Sequence, residues 1–226
     1  MRRSVLLCML LGFIVLGGTG CQGPSPVERP KELRTPTIRK EPAHIATRTF
    51  DPANPPADMP PLASGGEIAQ CESDFGANAN VGGQAQRTDP THAVITIKQI
   101  SVTLQLNVTI WVPADVSQRV IDHEQGHRQI SEYYYQTADK LATQIAANYM
   151  GKQVSITGAD LDAEFHKALQ SIGAEITEEY EKELNPNPTQ LLYDSITDHS
   201  RNDVAVQDAV DHAVKNVAVE FSQPAG

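Results

Sequence analysis

The sequence predicts an α+β fold, a small antiparallel or mixed sheet packed on one long helix and followed by further helices. Three observations lead there. Val102, Leu104, Leu106, Val108, Ile110 and Val112 alternate with Thr103, Gln105, Asn107, Thr109 and Trp111, the period of a half-buried strand. From Val116 to Met150 no proline intervenes, and Val116, Val120, Ile130, Tyr134, Leu141, Ile145 and Tyr149 recur at helical spacing, which buries one helix face. Two later runs, about Leu161 to Leu184 and Asp203 to Phe221, carry the same pattern.

The chain has 226 residues, enough for one domain with additions. Residues 1–20 read as a signal peptide. Arg2 and Arg3 precede the apolar run Val5 to Leu16, and the small residues GGTG lead to Cys21. The run is too short to span a bilayer comfortably. Its end resembles a bacterial lipoprotein signal, although Gly18 stands where Leu is usual. That resemblance implies a lipid on Cys21. Gln22 after the cysteine implies, by similarity to sorted lipoproteins, the outer membrane, facing the periplasm.

Residues 21–63 are expected to form an unfolded tether. Ten of the fifteen prolines lie between Pro24 and Pro61, and Cys21 to Phe50 carries six Lys or Arg against three Glu. Such composition buries little apolar surface and is weakly drawn to anionic headgroups. The folded domain is then expected over residues 64–202, with a helical extension at 203–226. From Ser64 to Pro90 the chain is Gly- and Asn-rich and signals strand or loop only weakly. His92 to Ile100 reads as a strand separate from Val102–Val112.

Asp115 with Gln118 forms a capping-box pattern for the long helix, Gly151 stops it, and Gly126 is the expected bend. Asp160 caps the next helix. NPNP, Asn185 to Pro188, breaks the pattern, leaving a short helical piece at Gln190 to Tyr193 and a loop, DSITDHS.

Charge and cysteines narrow the function. Asp51 to Gly226 holds ten basic and twenty-five acidic residues, which argues against a nucleic-acid partner. With Cys8 in the signal and Cys21 lipidated, Cys71 has no intrachain partner.

Chemistry concentrates at HEQGH, His123 to His127. On a helix these histidines share a face, about 6 Å apart along the axis. Both can then reach one zinc ion at about 2.0–2.1 Å. Glu124 projects beside the ion and is placed to take a proton from water there. The alternative is a polar helix face. A catalytic zinc needs a third protein ligand. Tyr133 occupies the position six residues past His127 where another histidine would serve. The candidates are His166, His199, His212, Glu164 and Glu175. His199 differs in lying in a loop, where a ligand is freely aimed.

TIWVP, HEQGH and YDSITDHS in this order resemble the predicted secreted Zn-dependent bacterial proteases, domain of unknown function 922, over roughly Ala93 to Asn202. Ser200 departs from the family's usual Gly. The resemblance implies a zincin-like fold in which His123, His127 and His199 hold zinc and Glu124 acts as general base, then acid. Asp194 would orient a ligand imidazole or serve as a cap or turn residue. Tyr134 or Tyr193 would donate to the oxyanion, although the Tyr133–Tyr135 run also suits packing. The expected function is an envelope-tethered zinc peptidase acting on a peptide or protein substrate aligned along Val102–Val112 as a sheet edge. The alternative is a non-catalytic zinc-binding or structural envelope lipoprotein.

Overall fold

The structure, a computed structural model, describes residues 35–62 and 67–221. The expected signal peptide and the lipidation at Cys21 lie outside them. In the described residues the fold is α+β: five strands in one mixed sheet and five helices.

The strands are β1 (Thr37–Lys40), β2 (His44–Phe50), β3 (Gln70–Asp89), β4 (His92–Pro113) and β5 (Gln153–Thr157). β4 is the centre. It pairs antiparallel with β3 along almost its whole length, and on its other side with β5, β1 and β2 in turn. β1 and β2 run parallel to β4, and β3 and β5 antiparallel. Val102–Val112 is therefore no sheet edge. β3 forms one edge and β5, β1 and β2 the other, since each pairs only with β4 among the described residues.

The two expected strands are one. Ala93, Ile95 and Ile97 are buried, then Ile100, Val102, Leu104, Leu106, Val108 and Ile110. The inward face thus changes phase between Ile97 and Ile100. The register explains this: Gly82 faces Gln99 but Gly83 faces Ile97, so Lys98 is an extra residue. A bulge bends a strand without ending it and flips which residues point inward.

The tether expected at 21–63 does not describe the stretch from Thr37 to Phe50, and residues 21–34 lie outside the described residues. Thr37–Lys40 and His44–Phe50 belong to the sheet, because strand pairing needs backbone groups rather than apolar side chains. Phe50 is buried.

The expected long helix is two, α1 (Gln118–Gln136) and α2 (Ala138–Tyr149). It begins at Ser117 rather than Asp115 and breaks at Thr137, not at Gly126. The break has a partner from far away in sequence. Lys40 of β1 donates to the carbonyls of Tyr135 and Gln136 at 3.2 and 2.8 Å, satisfying the end of α1. The third helix, α3 (Leu161–Glu183), follows its expected cap: Asp160 accepts from the amides of Asp162 and Ala163. The last two are α4 (Asn187–Thr197) and α5 (Val206–Phe221). Residues 203–221 are more than an appendage. Ala209, Val210 and Ala213 of α5 form a second small core with Ile130 of α1 and Tyr193 of α4. That core helps seat α4 against α1. No helix among the described residues is long and apolar enough to cross a membrane.

Candidate metal centre

α1 places His123 and His127 one turn apart, with their Nε2 atoms 3.2 Å from each other. α4 extends through Thr197, so Gln190 and Asp194 also stand one turn apart, on the face that meets α1. Asp194 Oδ1 is 3.3 Å from His123 Nε2 and 2.9 Å from His127 Nε2. Ligand atoms around one tetrahedral zinc-sized ion stand roughly 3.3–3.4 Å apart, given bonds of about 2.0–2.1 Å. The three atoms thus match one face of a ligand tetrahedron, and these side chains are close enough to hold a metal ion.

Hydrogen-bond directions support this arrangement. Asp194 Oδ1 is enclosed and has no well-directed donor, although both imidazole nitrogens are within reach. Such an oxygen is aimed at a point between the rings rather than at either. The charges agree. Burial raises the Asp194 carboxyl, but the His123 and His127 imidazoles outweigh it and hold the group well below the usual range. Burial lowers His127, yet Asp194, Glu124 and Gln190 carry it above its usual value. Both shifts favour positive charge between these groups.

Gln190 sets the tautomer of His127. Its amide nitrogen donates to the His127 carbonyl and to Ser131 Oγ, both at 3.1 Å. A backbone carbonyl only accepts, so the amide oxygen must be the atom 2.7 Å from His127 Nδ1. Nδ1 then carries the proton, and the Nε2 lone pair of the neutral ring faces Asp194 and His123. Losing this support in Gln190→Ala is expected to weaken metal binding about 10- to 100-fold, measured by competition with a chelator.

Glu124 is buried on the same helix. Burial pushes its carboxyl up to about 7, against the field of His127, with Glu67 and Asp194 adding to the rise. It lines a cleft of about 230 Å³ with His123, Glu67 and His199.

Tyr193 locks the two helices together. It is fully buried, its ring stacks on His123 and meets His127 edge-on, and its hydroxyl donates to the His123 carbonyl at 3.1 Å. It reaches that place because Gly126 has no side chain: a Cβ there would overlap Tyr193 Oη and Cζ. Gly126 is thus a site of close approach, and α1 continues through it to Gln136. The oxyanion role expected of Tyr193 or Tyr134 is not what these contacts provide. Tyr193 is committed to a backbone carbonyl, and Tyr134 Oη is bonded to the buried Thr189 Oγ1 at 2.6 Å.

The expectation gave His199 as the third ligand and Asp194 as its support; in the structure Asp194 is the group that lies nearer the two imidazole nitrogens. Asp194 completes the close triangle. His199 Nδ1 is 3.9 Å from Asp194 Oδ1 and 2.9 Å from Glu67 Oε1. The physical reason is the length of α4: Asp194 lies on the helix rather than in a loop, one turn beyond Gln190. His166, His212, Glu164 and Glu175 belong to neither cluster of possible metal ligands among the described residues. Gln190 and Glu67 carried no sequence signal. Gln190 becomes visible only once the helix is known to continue, and Glu67 sits in a stretch without periodicity.

His199 is turned back toward the cluster by three consecutive left-handed residues, Asp198, His199 and Ser200, with φ of 48°, 50° and 66°. This conformation is costly for most residues with a Cβ, and Ser has no special tolerance of it. Ser200→Gly is expected to stabilise the protein by up to about 1 kcal/mol, reduced by the extra chain entropy of glycine. Thermal denaturation reads this directly.

No family model matches this chain, and no curated protein or solved structure matches it either.

Proposed function

We propose that this protein is a zinc-dependent peptidase of the bacterial cell envelope, held at the membrane by a lipid on Cys21. The observation that carries the reading is the triangle of His123 Nε2, His127 Nε2 and Asp194 Oδ1 with the buried Glu124 beside it. Two imidazoles and a carboxylate at tetrahedral spacing suit zinc. An α+β fold with HEQGH on a helix supports a zincin-like reading, the one implied by the resemblance to the Zn-dependent proteases of domain of unknown function 922.

His123, His127 and Asp194 would hold the ion, and Gln190 would keep His127 in the ligating tautomer. When bound, zinc supplies Lewis acidity that polarises a carbonyl and makes water easier to deprotonate. Glu124 is the group that moves the proton. Its carboxyl, raised to about 7 by burial, sits where acceptance and return of a proton near neutrality are both accessible. It would take the proton of the attacking water and deliver it to the departing amine. The free edge of β3 leads into the cleft at Ala69 and offers unpaired backbone groups to an extended peptide.

Glu124→Gln tests the reading. It keeps the shape and removes the base, so bound zinc is expected to stay while hydrolysis of a peptide library falls about 10²- to 10⁴-fold. Wild-type protein that holds zinc but cleaves no better than this variant would overturn the peptidase assignment.

A further inference from the structure

We propose that a second divalent-cation site lies against the first, built from Glu67, Asp194 and His199, with Asp194 shared between the two. It rests on the reading that His123, His127 and Asp194 hold an ion.

Glu67, Asp194 and His199 each offer a ligand atom, and these atoms all lie within 4.8 Å of one another. Glu67 Oε1 and His199 Nδ1 are 2.9 Å apart, and His199 Nδ1 is 3.9 Å from Asp194 Oδ1. A simple ion pair would explain the shorter contact if the imidazole N–H pointed along it. It does not: His199 Nδ1 is enclosed and has no well-directed hydrogen-bond partner, despite a carboxylate oxygen at 2.9 Å. Asp194 Oδ1 is unpartnered in the same sense. The first ion already answers the Asp194 oxygen, so what remains is His199 Nδ1: leaving it unsatisfied is costly, and a cation placed among the three gives it a partner.

Charge points the same way. Glu67 and Glu124 line one cleft, and Asp194 borders it through His199. The chain also meets a conformational cost to aim His199 here, since Asp198, His199 and Ser200 are all left-handed. Strain of this kind persists where the surroundings hold a functional side chain in place.

One imidazole with two carboxylates accepts zinc or manganese. The Glu67 and His199 side chains are 21 % and 35 % exposed, against 7 % and 14 % for His123 and His127. The second site is therefore the more open one. It would complete its coordination with water and bind more weakly than the first.

Zinc titration of the metal-free full chain, read as zinc bound per chain by equilibrium dialysis, tests this. The expected result is two binding steps that reach about two ions per chain, the second weaker. His199→Ala and, separately, Glu67→Gln are expected to remove the weaker step and leave the tighter one. Asp194→Ala is expected to remove both. Saturation at one ion in the wild type, unchanged by His199→Ala, overturns the second site and leaves the first standing. Loss of a single wild-type ion in His199→Ala makes His199 a ligand of one shared ion and also overturns the second site. No zinc bound by the wild type at all overturns the first site as well.

Discussion

Replacing Asp194 with alanine is expected to weaken zinc binding by more than about 100-fold, beyond what loss of an outer supporting group costs. Asp194 Oδ1 contributes one corner of a triangle whose other corners are the two imidazole nitrogens, with sides of 3.2, 3.3 and 2.9 Å. Removing it leaves two ligands on one helix and takes away the negative charge that draws a cation between them. His123→Ala and His127→Ala are expected to be as severe. His199→Ala is the informative contrast, because a site in which His199 is the third ligand loses its ion there and keeps it in Asp194→Ala.

The second large effect is expected at Gly126. In an isolated helix, alanine is better than glycine by about 1 kcal/mol, so Gly126→Ala would stabilise α1 if nothing packed against it. Here the new methyl overlaps the ring and hydroxyl of Tyr193. That ring has no room to yield, being stacked on His123, edge-on to His127 and fully buried. Overpacking of this kind costs about 1–3 kcal/mol, and loss of the bond from Tyr193 to the His123 carbonyl adds about 1 kcal/mol. The net expectation is a loss of about 1–3 kcal/mol in chemical denaturation of the metal-free protein. Zinc affinity falls with it, since a displaced α4 carries Asp194 and Gln190 away from the histidines. A variant more stable than wild type would mean that α4 does not press on α1 at this point.

The parts of this structure that were legible in the sequence are those encoded locally. The alternation through Val102 to Ile110, the Asp160 cap and the helical spacing of His123 and His127 each depend on neighbours within a few residues. What the sequence concealed depends on partners far along the chain. Thr37–Lys40 and His44–Phe50 look like tether because prolines and charges surround them, yet their backbones pair with β4. Lys98 shifts the inward phase of a single strand and makes it resemble two. The break at Thr137 is satisfied by Lys40 of β1. The site follows the same rule. The histidines and Glu124 were readable from one helix turn, whereas the part played by Asp194 required knowing that α4 runs on to Thr197. The resemblance through YDSITDHS implies His199 as the ligand, five residues beyond Asp194.

The central claim is that His123, His127 and Asp194 hold one metal ion between them. Anomalous diffraction at the zinc absorption edge, from crystals grown with zinc, tests it most directly. The account predicts a peak about 2.0–2.2 Å from His123 Nε2, His127 Nε2 and an Asp194 carboxylate oxygen together, with Glu124 nearby and not bonded to the ion. A zinc-loaded crystal with no peak among these three atoms, or with the ion held by the histidines and His199 while Asp194 stands off, would contradict it.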